Sequence, residues 1–296
     1  MIRLLWNRAD TIQVNPPEKV KLNTKSITPN YLFCKKKTAL TFFLLSPFLS
    51  LPLQAAEIIA TIPPLAAIVQ MIDGDAQVSC LLPPGSDPHH FQLSPRQVEK
   101  MSRARLLVRS SKDDHGWMQL PTDTAVIDIW PKQDHAWLNP DNLISALPSI
   151  AENMISAFPD RREAIEAGLK RSLIEVSEIK SELGKALARL HGKGVMMQHP
   201  SWKKLFDAHE IPVLEVLESH RHGHEHGPRH LEKALNTLNK HPHAVLIGDM
   251  RHSNRSLEWL ASHSRDKTIL FLDALGSCGD SWAALMRQNI TRLSEQ

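Results

Sequence analysis

Asp160–Leu190, DRREAIEAGLKRSLIEVSEIKSELGKALARL, is the stretch that decides the architecture. It contains no proline, and glycine stands only at 168 and 184. Ile165, Leu169, Leu173, Val176, Ile179, Leu183, Leu187 and Leu190 follow one another at steps of three and four, the period of one helix face, while Lys, Arg and Glu fill the other faces. A helix of roughly thirty residues spans about 45 Å, longer than one small lobe needs. A rigid connector between two lobes accounts for that length, and a coiled-coil arm is the other use of such a stripe.

On either side of this helix the chain alternates strands with helices. Before it, Glu57–Ile62, Gln77–Leu82, Arg105–Val108 and Thr124–Ile129 read as short apolar strands. Leu65–Ile72 reads as a helix, Ser94-Pro95 opens a second with Ser as N-cap and Pro at the first helical position, and Asn139-Pro140 opens a third. After it, strands are expected at Val195–Gln198, Pro212–Leu217, Ala244–Ile247 and Thr268–Leu272. Helices are expected near Trp202–His209, Arg229–Asn239, Ser256–His263 and Trp282–Leu293. Strands separated by helices predict parallel sheets covered on both faces. The expected fold is therefore α/β: two lobes, 56–158 and 191–296, each with a roughly four-stranded parallel sheet and flanking helices, joined by one long rigid helix over 159–190.

The front of the chain differs in charge from the rest. Residues 1–55 carry a net charge of +6 and the remainder −3, within a formal total of +3. A mildly acidic body gives no reason to expect nucleic-acid binding. Lys35-Lys36-Lys37, an uncharged run from Thr38 to Leu53, and Leu53-Gln54-Ala55-Ala56 form the three parts of a secretory signal over 35–55. The run is about sixteen residues long and broken by Pro47 and Pro52, short for a membrane span. A permanent N-terminal anchor is the competing reading. Cys34 precedes the basic cluster, so it is not placed for a lipid anchor, and residues 1–34 are an extension without a clear role. The body is expected in the periplasm. Only Cys80 and Cys278 remain there, and an oxidising compartment would let them pair; whether they come within reach is left open by the sequence.

All sixteen histidines lie in the body, and histidine is the commonest metal ligand among side chains. In open parallel sheets, ligands bind at loops beyond the carboxyl ends of strands. Four expected strand ends carry metal-binding side chains: His89 in Pro83-Pro84-Gly85-Ser86-Asp87-Pro88-His89-His90, His135 in Asp134-His135-Ala136-Trp137-Leu138-Asn139-Pro140, His199, and Asp273. Three neutral imidazoles and one carboxylate suit tetrahedral Zn²⁺, whereas Mn²⁺ prefers more oxygen donors. Asp249, at the end of another strand, is a candidate to orient a ligand histidine.

From about Glu57 onward the chain resembles the periplasmic metal-binding proteins of zinc and manganese ABC importers, the zinc-uptake and metal-adhesin group. Leu81–His89 is similar to that family's first-ligand loop and His135-Ala136-Trp137-Leu138-Asn139-Pro140 to its second. His199-Pro200-Ser201-Trp202 resembles the third, and Leu272-Asp273-Ala274-Leu275-Gly276 the acidic fourth. The resemblance favours His89 over its neighbour His90. It implies a monomeric binding protein that clamps Zn²⁺ between two lobes and delivers it to a membrane permease. The segment Ser110–Thr122, with His115, departs from the family in looking shorter and more charged.

Ser219–His230 carries His220, His222, His224, His226 and His230 among Gly and Pro, a composition that reads as a mobile loop with an auxiliary metal role. Zinc members of the family often carry such a loop, though commonly before the second ligand. It also suits a zinc chaperone or buffer not tied to a permease, or exchange with a periplasmic metallochaperone. A zinc hydrolase is the reading from another class. It needs an open metal position and a general base, but Asp273 would close the site, no HExxH pairing occurs, and Glu215 and Glu218 are the nearest loop acids.

Overall fold

The computed structural model describes residues 58–110, 124–218, 227–265 and 267–295. The expected signal segment, the N-terminal extension and most of Ser110–Thr122 lie outside the described residues, as do His220, His222, His224 and His226. No helix among the described residues is long and apolar enough to cross a membrane.

All eight expected strands form. Strands β1 (Ile58–Ala60), β2 (Val78–Cys80), β3 (Leu106–Arg109) and β4 (Ala125–Asp128) make one sheet, ordered β2-β1-β3-β4. Strands β5 (Val195–Met197), β6 (Val213–Val216), β7 (Val245–Asp249) and β8 (Ile269–Leu272) make the other, ordered β6-β5-β7-β8. Every pairing is parallel. The two lobes thus repeat one topology, and in each the chain reverses its winding direction between the two central strands. That reversal opens a crevice at their carboxyl ends. The central strands β1, β3, β5 and β7 are largely buried, as sheets covered on both faces require.

The first lobe carries helices α1 (Pro63–Ile72), α2 (Pro95–Ser102) and α3 (Pro140–Ala157). Ser94 and Gln97 form the capping box that starts α2, and Asn139 caps α3 by accepting the Asp141 N–H at 2.9 Å. The connector is α4 (Arg162–Leu187), shorter than expected because Pro159–Arg161 and Ala188–Leu190 tighten into 3₁₀ turns at its ends. Beyond it lie α5 (Lys203–Ala208), α6 (Pro228–Lys240), α7 (Arg255–Ser262) and α8 (Trp282–Ser294).

Helix α4 packs on α1 and α3 from one lobe and on α8 from the other. Its buried Ile165, Val176, Ile179, Leu183 and Leu187 belong to a core that runs unbroken from Ile58 to Leu293. The helix is therefore an internal strut rather than a free coiled-coil arm. Its first half is clamped to the end of α1: Arg161 pairs with the buried Asp73 at 2.7 Å, and the Ser172 hydroxyl lies 3.0 Å from the Met71 carbonyl. Gly168 makes this approach possible. A Cβ there would sit 1.6 Å from the Ile72 carbonyl oxygen, a backbone atom that cannot rotate away. Gly168→Ala is expected to prise α1 from α4 at a cost of about 1–3 kcal/mol. For a chain of this size that lowers Tm by roughly 3–10 °C. A melting curve unchanged by the substitution would mean the helices are not in backbone contact.

Candidate metal centre

Each candidate histidine is set by the turn that follows its strand. In the loop after β2, Asp87 accepts the His89 backbone N–H at 2.8 Å and lies 2.8 Å from Nδ1 of His90. That draws the exposed His90 aside and leaves His89 facing the crevice. His135 has left-handed backbone angles, φ 52° and ψ 28°, at the start of a 3₁₀ turn over Ala136–Leu138. Such a conformation costs a non-glycine residue on the order of 1 kcal/mol and recurs at functional positions. His199 leaves β5 just before the 3₁₀ turn Pro200–Trp202, and its side chain is fully buried.

These three residues meet. One ligand atom from each of His89, His135 and His199 lies within 4.8 Å of the other two. Their ring centroids are 6.2 Å apart for His89 and His135, 5.1 Å for His89 and His199, and 5.2 Å for His135 and His199. Nδ1 of His199 stands 2.6 Å from Glu218 Oε2. A carboxylate accepts, so Nδ1 carries the proton and Nε2 keeps its lone pair for a metal. Burial, reinforced by the repulsion that would arise between a protonated His135 and protonated His199 or His89, holds His135 well below the usual histidine range. Its imidazole is therefore neutral and able to ligate at neutral pH.

Among the described residues, Asp273 is not in the groups of three donors that lie within 4.8 Å of one another. Its Oδ1 accepts the N–H groups of Leu275 at 3.0 Å and Gly276 at 2.9 Å, and Oδ2 lies 3.5 Å from an Arg251 guanidinium nitrogen. The backbone of Asp273 is tied on both sides to the buried Asn289 side chain, at 2.8 Å each way. Asp249 also serves a turn: it accepts from the Ser201 hydroxyl at 2.7 Å and the Arg251 N–H at 2.9 Å. The orienting contact expected of Asp249 is made to His199 by Glu218. Of the other candidate acid, Glu215 lies 3.6 Å from Nε2 of His230, which is itself outside the donor groups.

One histidine passed over by the sequence reading is present at the cluster. His252, in the turn after β7, stacks on His199 with ring centroids 4.1 Å apart and planes 15° from parallel. It lies 5.7 Å from His89 by ring centroid, and its Nδ1 is 3.5 Å from Asp87 Oδ2. Burial works to lower the His252 pKa, but its hydrogen bond to Asp87 and the charges of Asp249, Asp87 and Glu218 outweigh it and raise the value. Burial likewise pushes Asp87 upward, and its bonds with His252, His90 and the His89 backbone override that and hold it well below the usual carboxylate range. Only the adjacency of β5 and β7 in the sheet could have announced His252, and that order is invisible in a spacing of 53 residues from His199.

The crevice is held shut by ties between the lobes. Trp137 donates its indole N–H to the Ala274 carbonyl at 2.7 Å, and Trp282 donates to the Trp137 carbonyl at 2.9 Å, all in buried surroundings. Lys204 pairs with Asp134, beside His135. Cys80 at the end of β2 forms a disulfide with Cys278 in the loop after β8, with Cα atoms 6.0 Å apart.

Known proteins share this architecture. A crystal structure described as ZnuA superposes with a TM-score of 0.72 at 23% identity, covering 82% of this chain and 99% of that one. A protein of Thermotoga maritima described as a putative metal-binding protein is 26% identical over 249 residues, 80% of this chain and 91% of its own length. A manganese ABC transporter substrate-binding lipoprotein of Streptococcus gordonii is 23% identical over 276 residues, 81% of this chain and 88% of its own. The match to a family as a whole takes in both lobes and the strut between them: over residues 58–296 the chain belongs to the family described as ZnuA, the periplasmic component A of the zinc-uptake complex.

Proposed function

We propose that this metal-binding ABC substrate-binding protein captures Zn²⁺ in the crevice between its lobes and hands it to the membrane permease of an ABC importer. His89, His135 and His199 are the donors, with a fourth protein group completing a tetrahedron, for which the sequence nominates Asp273. The observation that carries the reading is the convergence of three imidazoles within 4.8 Å on rigid strand ends. Nitrogen-rich sites favour Zn²⁺ over Mn²⁺, which seeks oxygen. No bond is made or broken, so the protein is a carrier rather than an enzyme, working as a monomer in the periplasm after removal of its signal. The histidine-rich segment around His220–His230 supplies weaker auxiliary binding, through which metal is exchanged with a periplasmic partner.

The test is a competition titration of metal-stripped residues 56–296 with Zn²⁺ against a chromogenic chelator, repeated with Mn²⁺ and Fe²⁺. One tight zinc site per chain is expected, with weaker sites lost on deleting residues 219–226. Mn²⁺ should bind roughly a thousandfold more weakly, in keeping with the ordinary order of divalent metals on nitrogen donors. Equal or tighter Mn²⁺ binding would overturn the zinc reading.

A further inference from the structure

We propose that Arg251 is a positioning residue that competes with the metal for the Asp273 carboxylate and so sets how readily the crevice gives up its cargo; this rests on the zinc reading above, with Asp273 as the fourth donor.

The two side chains meet because their strands are neighbours. β7 and β8 run parallel with Asp249 opposite Leu272, which brings Arg251, two residues past one strand, beside Asp273, one residue past the other. The carboxylate divides its oxygens between two tasks. Oδ1 accepts the N–H groups of Leu275 at 3.0 Å and Gly276 at 2.9 Å, which fixes the side chain and leaves Oδ2 as the oxygen able to serve a metal. Oδ2 is also the oxygen beside the guanidinium, 3.5 Å from Nη2 of Arg251. Asp273 is 8% exposed, so water screens this attraction less than it would on the surface.

Arg251 is held near the carboxylate without being pinned to it. Its backbone N–H donates to Asp249 at 2.9 Å and its Nη2 to the Gly276 carbonyl at 2.8 Å, while the buried Nε meets no acceptor among the described residues. The residue lines a narrow gap between Pro83–Ser86 of the first lobe and Leu275–Cys278 of the second, next to the first-ligand loop. A guanidinium keeps its charge at every working pH. Zinc that takes Oδ2 therefore breaks a charge-assisted contact and leaves two cations beside one carboxylate. Affinity is lower than the same four donors would give alone, and the displaced guanidinium stays at hand to retake Oδ2. A carrier must release what it holds, and a resident cation facing one donor eases release without removing that donor.

The full chain, stripped of metal, is titrated with Zn²⁺ against a chromogenic chelator, and release is timed in excess chelator. The variants are Arg251→Gln, Arg251→Lys, Asp273→Asn, the Arg251→Gln/Asp273→Asn double, and a triple with His89, His135 and His199 changed to Ala. Arg251→Gln keeps an N–H donor for Gly276 and drops the charge. It is expected to bind zinc roughly tenfold more tightly, the lower end for a hydrogen bond to a charged group, and to release it more slowly. Its zinc-induced rise in Tm should grow by roughly 3–6 °C. Arg251→Lys, which retains the charge, should stay nearer the wild type. With Asp273→Asn as background, Arg251→Gln should change affinity by less than about twofold, the scatter of independent sites, because no carboxylate is left to contest. An arginine that only braces the turn predicts the opposite sign, weaker zinc in both backgrounds. Unchanged or weaker zinc in Arg251→Gln overturns the proposal, as does a tenfold gain that persists without the Asp273 carboxylate. Asp273→Asn binding as tightly as the wild type also overturns it, while leaving the three-histidine cleft intact. Tight zinc in the triple variant overturns both. Should Arg251→Gln fail to fold, Arg251→Met is read by the same criteria.

Discussion

Replacing His199 by alanine is expected to weaken zinc binding roughly a thousandfold, well past the 10–100-fold that loss of an orienting partner costs. His199 is the most central donor: it lies 5.1 Å from His89, 5.2 Å from His135 and 4.1 Å from His252 by ring centroid. Its side chain is fully buried, and Glu218 already fixes its ring and its proton. Removing it therefore deletes a donor that pays no ordering cost on binding and takes from Glu218 the imidazole 2.6 Å away. A thousandfold loss is about 4.1 kcal/mol. Because metal stabilises only the folded chain, the zinc-induced rise in Tm should shrink by roughly 8–16 °C at fixed zinc. Glu218→Gln, which keeps the ligand and weakens its orientation, should lose 10–100-fold. Calorimetric titration and melting curves with and without zinc read both. If His199→Ala binds within tenfold of the wild type, the metal lies elsewhere.

The distinction between these two variants separates what could be read in the sequence from what could not. The eight strands were legible because short apolar runs between helix signals have few other uses, and each forms within two residues of its expected bounds. The connector was legible from one apolar stripe, and its buried face in the common core bears that reading out. His89, His135 and His199 stood out because each follows a strand, and they do converge. Strand ends alone do not fix which way a side chain points, however. Asp273 satisfies its strand-end rule and yet bonds its own turn, and Asp249 likewise holds Ser201 and Arg251. Glu218 and His252 enter the cluster through the lateral order of β6, β5 and β7, a tertiary fact that no local pattern encodes. The indole bonds from Trp137 to Ala274 and from Trp282 to Trp137 depend on lobe closure in the same way.

Opening the Cys80–Cys278 disulfide should separate two properties that a hinge would couple. The bridge spans 198 residues and joins the lobes between the end of β2 and the loop after β8. On the loop-entropy account, a closed loop of that size contributes about 5 kcal/mol by restricting the unfolded chain, an upper value that native-state effects reduce. Cys80→Ser with Cys278→Ser, or reduction under native conditions, is accordingly expected to lower Tm by about 10 °C. Zinc affinity should change by less than about tenfold, because a loss acting on the unfolded state leaves the folded site untouched. The remaining ties are of the folded state: α4 packed on both lobes, and the Trp137–Ala274 and Trp282–Trp137 bonds at 2.7 and 2.9 Å. These keep the Leu81–His89 loop and the turn after β8 in register without the covalent link. Melting curves and zinc dissociation rates of the oxidised and bridge-free chains decide the matter. A Tm within 2–3 °C of the oxidised protein, on the order of 1 kcal/mol for this size, would remove the bridge as a stabiliser. Fast zinc loss at unchanged Tm would instead make the disulfide, rather than the helical strut, the element that keeps the crevice closed.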